Sequence, residues 1–440
     1  MKYLFFLIFL VLLQNCSFDD KSGIWKNNSK VLKKSESLKD FEILTTKNSS
    51  FDQIVQFKKD FKFQLKSPTI NSSWTDIFYD ETNNLKNFDY IGLNQLILES
   101  VKITKPKNNN SILWEKNNLI TSDKKGNIFI YSLKKNKVIN KFNFYKKKYK
   151  KVNKILNLII NDDVIYISDN IGYLYALNYV ENKILWAKNY KVPFRSNIKL
   201  VGNKIILSNH NNDLIFINKD NGNMIKLIPT EDTIVKNQFI NNLSLNRNSV
   251  FFINTYGSLY SIDIKSMQVN WFINLNQSND LNPSNLFFGS KIINSGNKLA
   301  VSSNHSTYII DSNNGTILNT FNFSTKITPI IIENYFFLIT KNDLIVAINL
   351  QDENIIFSYD INEKISKFLE IKKDKAEFKA LYIANNSIYI ILKNSFFLKF
   401  SVQGDLESIR KLPKKIHSDP IFIDGKMLYI NSSGRLSILN

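Results

Sequence analysis

Short apolar runs of four to six residues, separated by clusters of Asn, Asp, Gly and Ser, follow one another from about Phe61 to Asn440. No stretch keeps a helical period long enough to compete, so the pattern predicts strands joined by tight turns. The clearest copy spans residues 164–178, VIYISDNIGYLYALN, where a hydrophobic strand meets a polar turn closed by Gly172 and a second strand ends on Asn178. Glycine at that place takes the positive φ that a hairpin turn demands. Nearly the same pattern recurs at residues 253–263 and 122–129.

With the first residue of each turn as anchor, copies begin at Asp123, Asp169, Asn209, Asn254, Ser302, Thr340, Leu392 and Asn431. Nine residues after each anchor stands a polar turn-former, Ser132, Asn178, Asn218, Asp263, Asp311, Asn349, Ser401 and Asn440. The glycine recurs at Gly126, Gly257 and Gly434, and Asn212, His305, Asp343 and Ser395 replace it elsewhere. A period of about 44 residues, with two visible strands and room for two more, is that of a four-stranded propeller blade. The eight copies predict an all-β fold, an eight-bladed β-propeller of antiparallel blades over residues 61–440. Because the last copy stops at the end of its third strand, its outermost strand must come from elsewhere. The alternating segment Ser72-Ser73-Trp74-Thr75-Asp76-Ile77-Phe78 is the expected closing strand.

The first residues read differently. Lys2 precedes an apolar run from Tyr3 to Leu13, too short to cross a bilayer about 30 Å thick as a helix but matching the core of a secretory signal. The run stops at Gln14-Asn15-Cys16, and Cys16 is the one cysteine of the chain, so no intrachain disulfide forms. Residues 1–15 are therefore expected to be a signal peptide and residues 16–60, polar and lysine-rich, a flexible tether.

Charge adds one question. Lys plus Arg number 58 against 38 Asp plus Glu, a net +20, which raises an anionic partner such as nucleic acid or phospholipid. Lysine and asparagine are abundant throughout, but residues 133–160 carry ten lysines and no acid. That run reads either as a solvated loop with its flanking strand ends or as a surface for lipid headgroups.

Catalytic chemistry is not legible. His210, His305 and His417 lie far apart in or beside predicted turns, and one cysteine leaves no Cys/His metal spacing. No zinc-protease, nucleophile-elbow or phosphate-loop motif occurs. The Asp311-Ser312-Asn313-Asn314-Gly315 run has its glycine fifth and Asn322 where a calcium loop needs Glu, so no metal is expected there.

Trp186, Trp271 and Phe357 follow the strand end by eight residues in three copies, while Gly222 and Gly315 follow it by four in two others. This resembles the tryptophan-docking repeat of the quinoprotein-like propellers, in which such rings pack between blades. No Trp-Asp dipeptide favours the WD40 repeat. The end of the signal resembles that of bacterial lipoproteins, which implies lipidation of Cys16, although Asn15 is larger than the small residue usual before it. Lipoprotein signal, tether and single eight-bladed ring together resemble the BamB family of outer-membrane assembly lipoproteins.

The resemblance implies a periplasmic scaffold without a cofactor or enzymatic activity. It would be held at the outer membrane, since Ser17 rather than Asp follows the cysteine, and would be a monomeric subunit that binds a BamA-like partner and no nucleic acid. In that family one inter-blade loop grips the partner, and here it matches Val192-Pro193-Phe194-Arg195-Ser196, with Phe194 and Arg195 as exposed anchors. The family's acidic loop aligns with Gln238-Phe239-Ile240, which has no acid, while Glu231 and Asp232 lie upstream. The alternative implied by the same repeat is a periplasmic quinoprotein-type enzyme or ligand-binding propeller, with a quinone and calcium in the central channel. Those enzymes are longer and commonly use a disulfide that this chain cannot form.

Overall fold

The computed structural model describes residues 51–105, 108–145, 149–231, 242–276 and 291–440; Cys16, the signal and most of the expected tether lie outside them. Seven blades run in chain order over residues 108–143, 156–189, 199–228, 243–274, 293–321, 330–360 and 378–411. The eighth combines three strands of residues 421–439 with Leu96–Lys102. The all-β, eight-bladed ring of four-stranded antiparallel sheets is thus present.

Each predicted hairpin is the second and third strand of one blade. The anchors explain why the turn recurs: Asp169 Oδ1 accepts the backbone N–H groups of Ile171, Gly172 and Tyr173, all at 2.8 Å. Asn254 and Asn431 serve their own turns in the same manner. Gly172 sits at φ 104°, and Asn212, Asp343 and Ser395 take the left-handed conformation in its place, at 64°, 66° and 72°. His305 does not; its turn is held instead by the Ser303 hydroxyl, which accepts from the His305 and Ser306 N–H groups.

The tryptophan pattern resolves into pairs of blades. Trp186 of blade 2 donates its indole N–H to Lys219 O of blade 3 at 2.9 Å, and a Cβ added at Gly222 would lie 2.5 Å from the indole. Trp271 docks identically on blade 5, through Ser312 O and Gly315, and Phe357 lies over Gly404 of blade 7. Only glycine leaves room for the ring at these turns.

The closing strand is not the predicted one. Leu96–Lys102 pairs antiparallel with Arg435–Leu439 as the outermost strand of blade 8. Trp74 instead lies at the centre of the ring, exchanging two backbone hydrogen bonds of 2.8 Å with Trp114 on the innermost strand of blade 1. Alternation marks a segment that can join a sheet, but both edges of a blade offer the same unpaired backbone groups.

Packed structure also reaches into the segment expected as tether. Val55 bonds in both directions to Ser358 on the outer edge of blade 6, and Phe61 and Phe63 pack on Tyr335. A nine-residue helix, Ile361–Leu369, follows blade 6, with the Asp360 side chain capping it through Glu363 N–H.

Candidate functional site

Two places carry the functional expectations, the central channel and the loop leaving blade 2. In the channel the innermost strands of eight blades present an inward edge, and one segment satisfies it by tracing the whole ring. Asn71 O accepts from Asp424 of blade 8 at 2.8 Å, Trp74 pairs with blade 1, and Thr75 O accepts from Ile160 of blade 2 at 2.9 Å. Asp76 and the Asp80 carbonyl receive Lys199 Nζ of blade 3 at 2.7 and 2.6 Å. Glu81 O accepts from Leu245 of blade 4, and Thr82 O from Asn294 of blade 5. The Asn83 amide donates to Leu243 O and Ile292 O, joining blades 4 and 5. Asn84 then exchanges two bonds with Ile331 of blade 6, and Asn87–Phe88 pairs in parallel with Ile383–Ala384 of blade 7.

The circuit is held by shape as well as by bonds. Phe88 is fully buried against Phe422, their rings 5.1 Å apart, and Trp74 packs on Tyr79 at 4.7 Å. Lys199 and Asp76 are both buried, an arrangement tolerable only because each has its partner. Burial raises the Asp80 carboxyl pKa, with its own Thr82 hydrogen bonds opposing.

On the other side of the circuit the channel narrows to a cavity of about 90 Å³ lined by Trp74, Phe78, Lys291, Lys379, Tyr382 and Asp419. Burial lowers the Lys291 pKa, opposed by Asp419 and Asp76, and its ammonium lies over the Phe78 ring at 3.9 Å. That cavity is smaller than the roughly 300–1,000 Å³ of a drug-sized ligand pocket, whereas the opposite face of the circuit opens into a polar recess of about 690 Å³ lined by Asp76, Asp80, Glu81, Lys86 and Lys199. Among the described residues no three His, Cys, Asp or Glu side chains group to hold a metal ion.

The loop leaving blade 2 corrects the expectation of exposed anchors. Phe194 is 2% exposed and Arg195 5%. The Phe194 ring packs on Tyr190 at 5.4 Å, its N–H donates to Asp169 O, and the Arg195 N–H donates to Ser208 O of blade 3. Burial lowers the Arg195 pKa. The connection crosses from one blade to the next through the core of their seam, so its side chains are drawn inward, and truncating Phe194 would cost about 3–5 kcal/mol of stability. What the loop presents outward is Lys191, with Val192 and Pro193 half-buried beside it. Tyr190 fixes the loop by donating to Gly222 O at 2.5 Å.

Of the aligned acidic stretch, Asp232 and Gln238 to Ile240 lie outside the described residues. Glu231 is tied to blade 4, accepting from Ser258 Oγ at 2.7 Å and the Tyr260 hydroxyl at 3.0 Å. Burial, with Glu231 next to it, raises the Tyr260 pKa. Sequence reasoning passed over Lys199, Asn83 and Asn84. A lysine inside the apolar alternation of Asn197-Ile198-Lys199-Leu200 was the one local signal of a buried partner.

No curated protein sequence matches the chain. Among solved structures, BamB from Moraxella catarrhalis superimposes with a TM-score of 0.61 at 11% identity, over 78% of this chain and 98% of that one. A europium-containing methanol dehydrogenase gives 0.62 at 9% identity, over 81% and 89%. Quinohemoprotein alcohol dehydrogenase from Comamonas testosteroni gives 0.60 at 9%, over 83% and 80%. These likenesses share the ring and do not choose between scaffold and enzyme. The sequence does choose a family, because the model described as outer membrane protein assembly factor BamB matches residues 108–359, more than half of the chain. With its eight blades and docked tryptophans, the chain belongs to the BamB family.

Proposed function

We propose that this protein is a lipid-anchored scaffold on the periplasmic face of the outer membrane, where it binds a BamA-like protein of the β-barrel assembly machinery and catalyses no reaction. The observation that carries this reading is the family match over residues 108–359. The circuit of residues 71–88 favours it, because the chain's own backbone runs through the lumen where the quinoprotein reading needs a cofactor.

Cys16 is the lipidation site in this reading, and the partner meets the loop of Lys191 to Pro193. Phe194 and Arg195 hold that loop from beneath and do not touch the partner. The outer strands of blades 3 to 5 expose Met224, Ile225, Phe272, Ile317 and Leu318 on sheet edges that pair with no further strand among the described residues, where a partner strand can add by main-chain hydrogen bonds.

The test is capture of the purified periplasmic domains of the BamA-like protein from the same cell. The wild-type chain is expected to retain them, and Lys191→Glu with Val192→Asp to lose at least roughly tenfold in affinity, about 1.4 kcal/mol. Retention by neither chain, together with saturable binding of quinone and calcium, would replace this reading with the quinoprotein one.

A further inference from the structure

The lysine-rich run left unexplained by the family divides in the structure. Lys154 is structural: it is buried, donates to Tyr149 O, and lies 5.0 Å from the Tyr145 ring centroid. Lys141 of the run turns outward and shares a groove with lysines at the end of the ring-closing strand. In a four-stranded meander, the hairpin between the second and third strands and the connection to the next blade emerge at the same end. Lys124 and Lys125 lie in that hairpin of blade 1, Lys141 near the end of its outer strand, and Lys102 opposite Arg435 where the closing strand ends. Together with Lys105 they line a groove of about 1060 Å³ at the seam of blades 8 and 1, floored by Ile103 and Phe129.

One acid offsets the charge of the five lysines only in part. The groove's one acid, Asp123, spends its oxygens on its own turn, accepting from the Lys125 and Asn127 N–H groups and the Asn127 amide. Asp169 next to it is buried and receives three backbone N–H groups and the Tyr145 hydroxyl. None of the five groove lysines forms an ion pair among the described residues.

Apolar tips stand beside the charges. The connection to blade 2 continues Lys150-Lys151 into Val152, 44% exposed, and Ile155, 57% exposed. A carboxylate-bearing protein is gripped best by arginine forks, and this sector's groove and connecting loop have none. Lysines are flexible point charges suited to a diffuse layer of phosphates. Lysines interleaved with exposed aliphatic tips match a membrane interface, where headgroups meet the cations and the tips enter the acyl boundary.

We infer that the end of the ring at the seam of blades 8 and 1, with Lys102, Lys105, Lys124, Lys125 and Lys141 and the Val152 and Ile155 tips, is a docking face for an anionic phospholipid surface. The face thereby orients the ring against the leaflet.

The experiment measures partitioning of the full chain between buffer and vesicles, either of phosphatidylcholine alone or of an equal mixture with phosphatidylglycerol, at low and high salt. The ratio of the two affinities cancels any contribution of an acyl chain on Cys16, so its failure leaves the assembly reading standing. Wild type is expected to prefer the anionic vesicles and to lose that preference at high salt. Lys124→Gln with Lys125→Gln and Lys141→Gln should reduce the preference roughly 100-fold, at about one kcal/mol for each lysine near the surface. Lys183→Gln with Lys265→Gln and Lys426→Gln, at the opposite end of the ring, should keep it. If the first triple variant melts abnormally, Lys150→Gln with Lys151→Gln gives the same reading with a smaller loss, roughly 30-fold. Equal affinity of wild type for both vesicles, an unchanged preference in the groove variants, or binding to polyglutamate without any preference for anionic vesicles would each overturn the proposal.

Discussion

The circuit of residues 71–88 and the tryptophan docks both lock blades to one another, with opposite chemistry. A dock is a local device: one ring, one indole hydrogen bond and one glycine, joining blade 2 to 3 and blade 4 to 5, with Phe357 over Gly404 joining 6 to 7. The circuit is global and mostly polar, a chain of backbone and asparagine hydrogen bonds ending on every innermost strand, with one buried ion pair. Docks can form as soon as two blades exist. The circuit's set of partners is complete only when all eight are in place, so the whole of it reports closure of the ring.

That contrast can be broken at three depths. The deepest cut is deletion of Leu96–Lys102, which leaves blade 8 with three strands and an open edge. The ring is expected to lose its single cooperative melting transition and to aggregate, as seen by calorimetry and size-exclusion chromatography. A monomer with an unchanged transition would mean that the circuit closes the ring without the strand.

A cut inside the circuit is expected to be smaller. Lys199→Met leaves Asp76 buried without its cation and should cost about 3–5 kcal/mol in chemical denaturation. Adding Asp76→Asn to Lys199→Met should recover much of that loss, because the unpaired charge is then gone. Failure of the second change to recover stability would assign the cost to packing.

The smallest effect belongs to a dock. Gly222→Ala forces a methyl to within 2.5 Å of Trp186 at φ +68°, and should cost about 1–3 kcal/mol. In a double-mutant cycle with Trp186→Ala the two changes should be clearly non-additive, since the clash needs the ring. Full additivity would mean that the dock contributes no coupling between blades 2 and 3.

What the amino-acid sequence determined is local. The eight hairpins were legible because Asp169 or Asn254 organises its own turn through neighbouring backbone groups, and alternation orients the strands that leave it. The docking rings were legible for the same reason, since strand and turn positions recur at fixed spacing. Only the tertiary structure decided which edge each N-terminal piece joins. Trp74 went to the inside of blade 1 and Leu96–Lys102 to the outside of blade 8, because edge choice depends on which blade edges the closing ring leaves open and not on the segment's own alternation. It also decided that Phe194 and Arg195 face the seam and not the solvent. A loop's sequence specifies its turns, whereas the direction of its side chains is set by the space between two blades that exists only once the ring has formed.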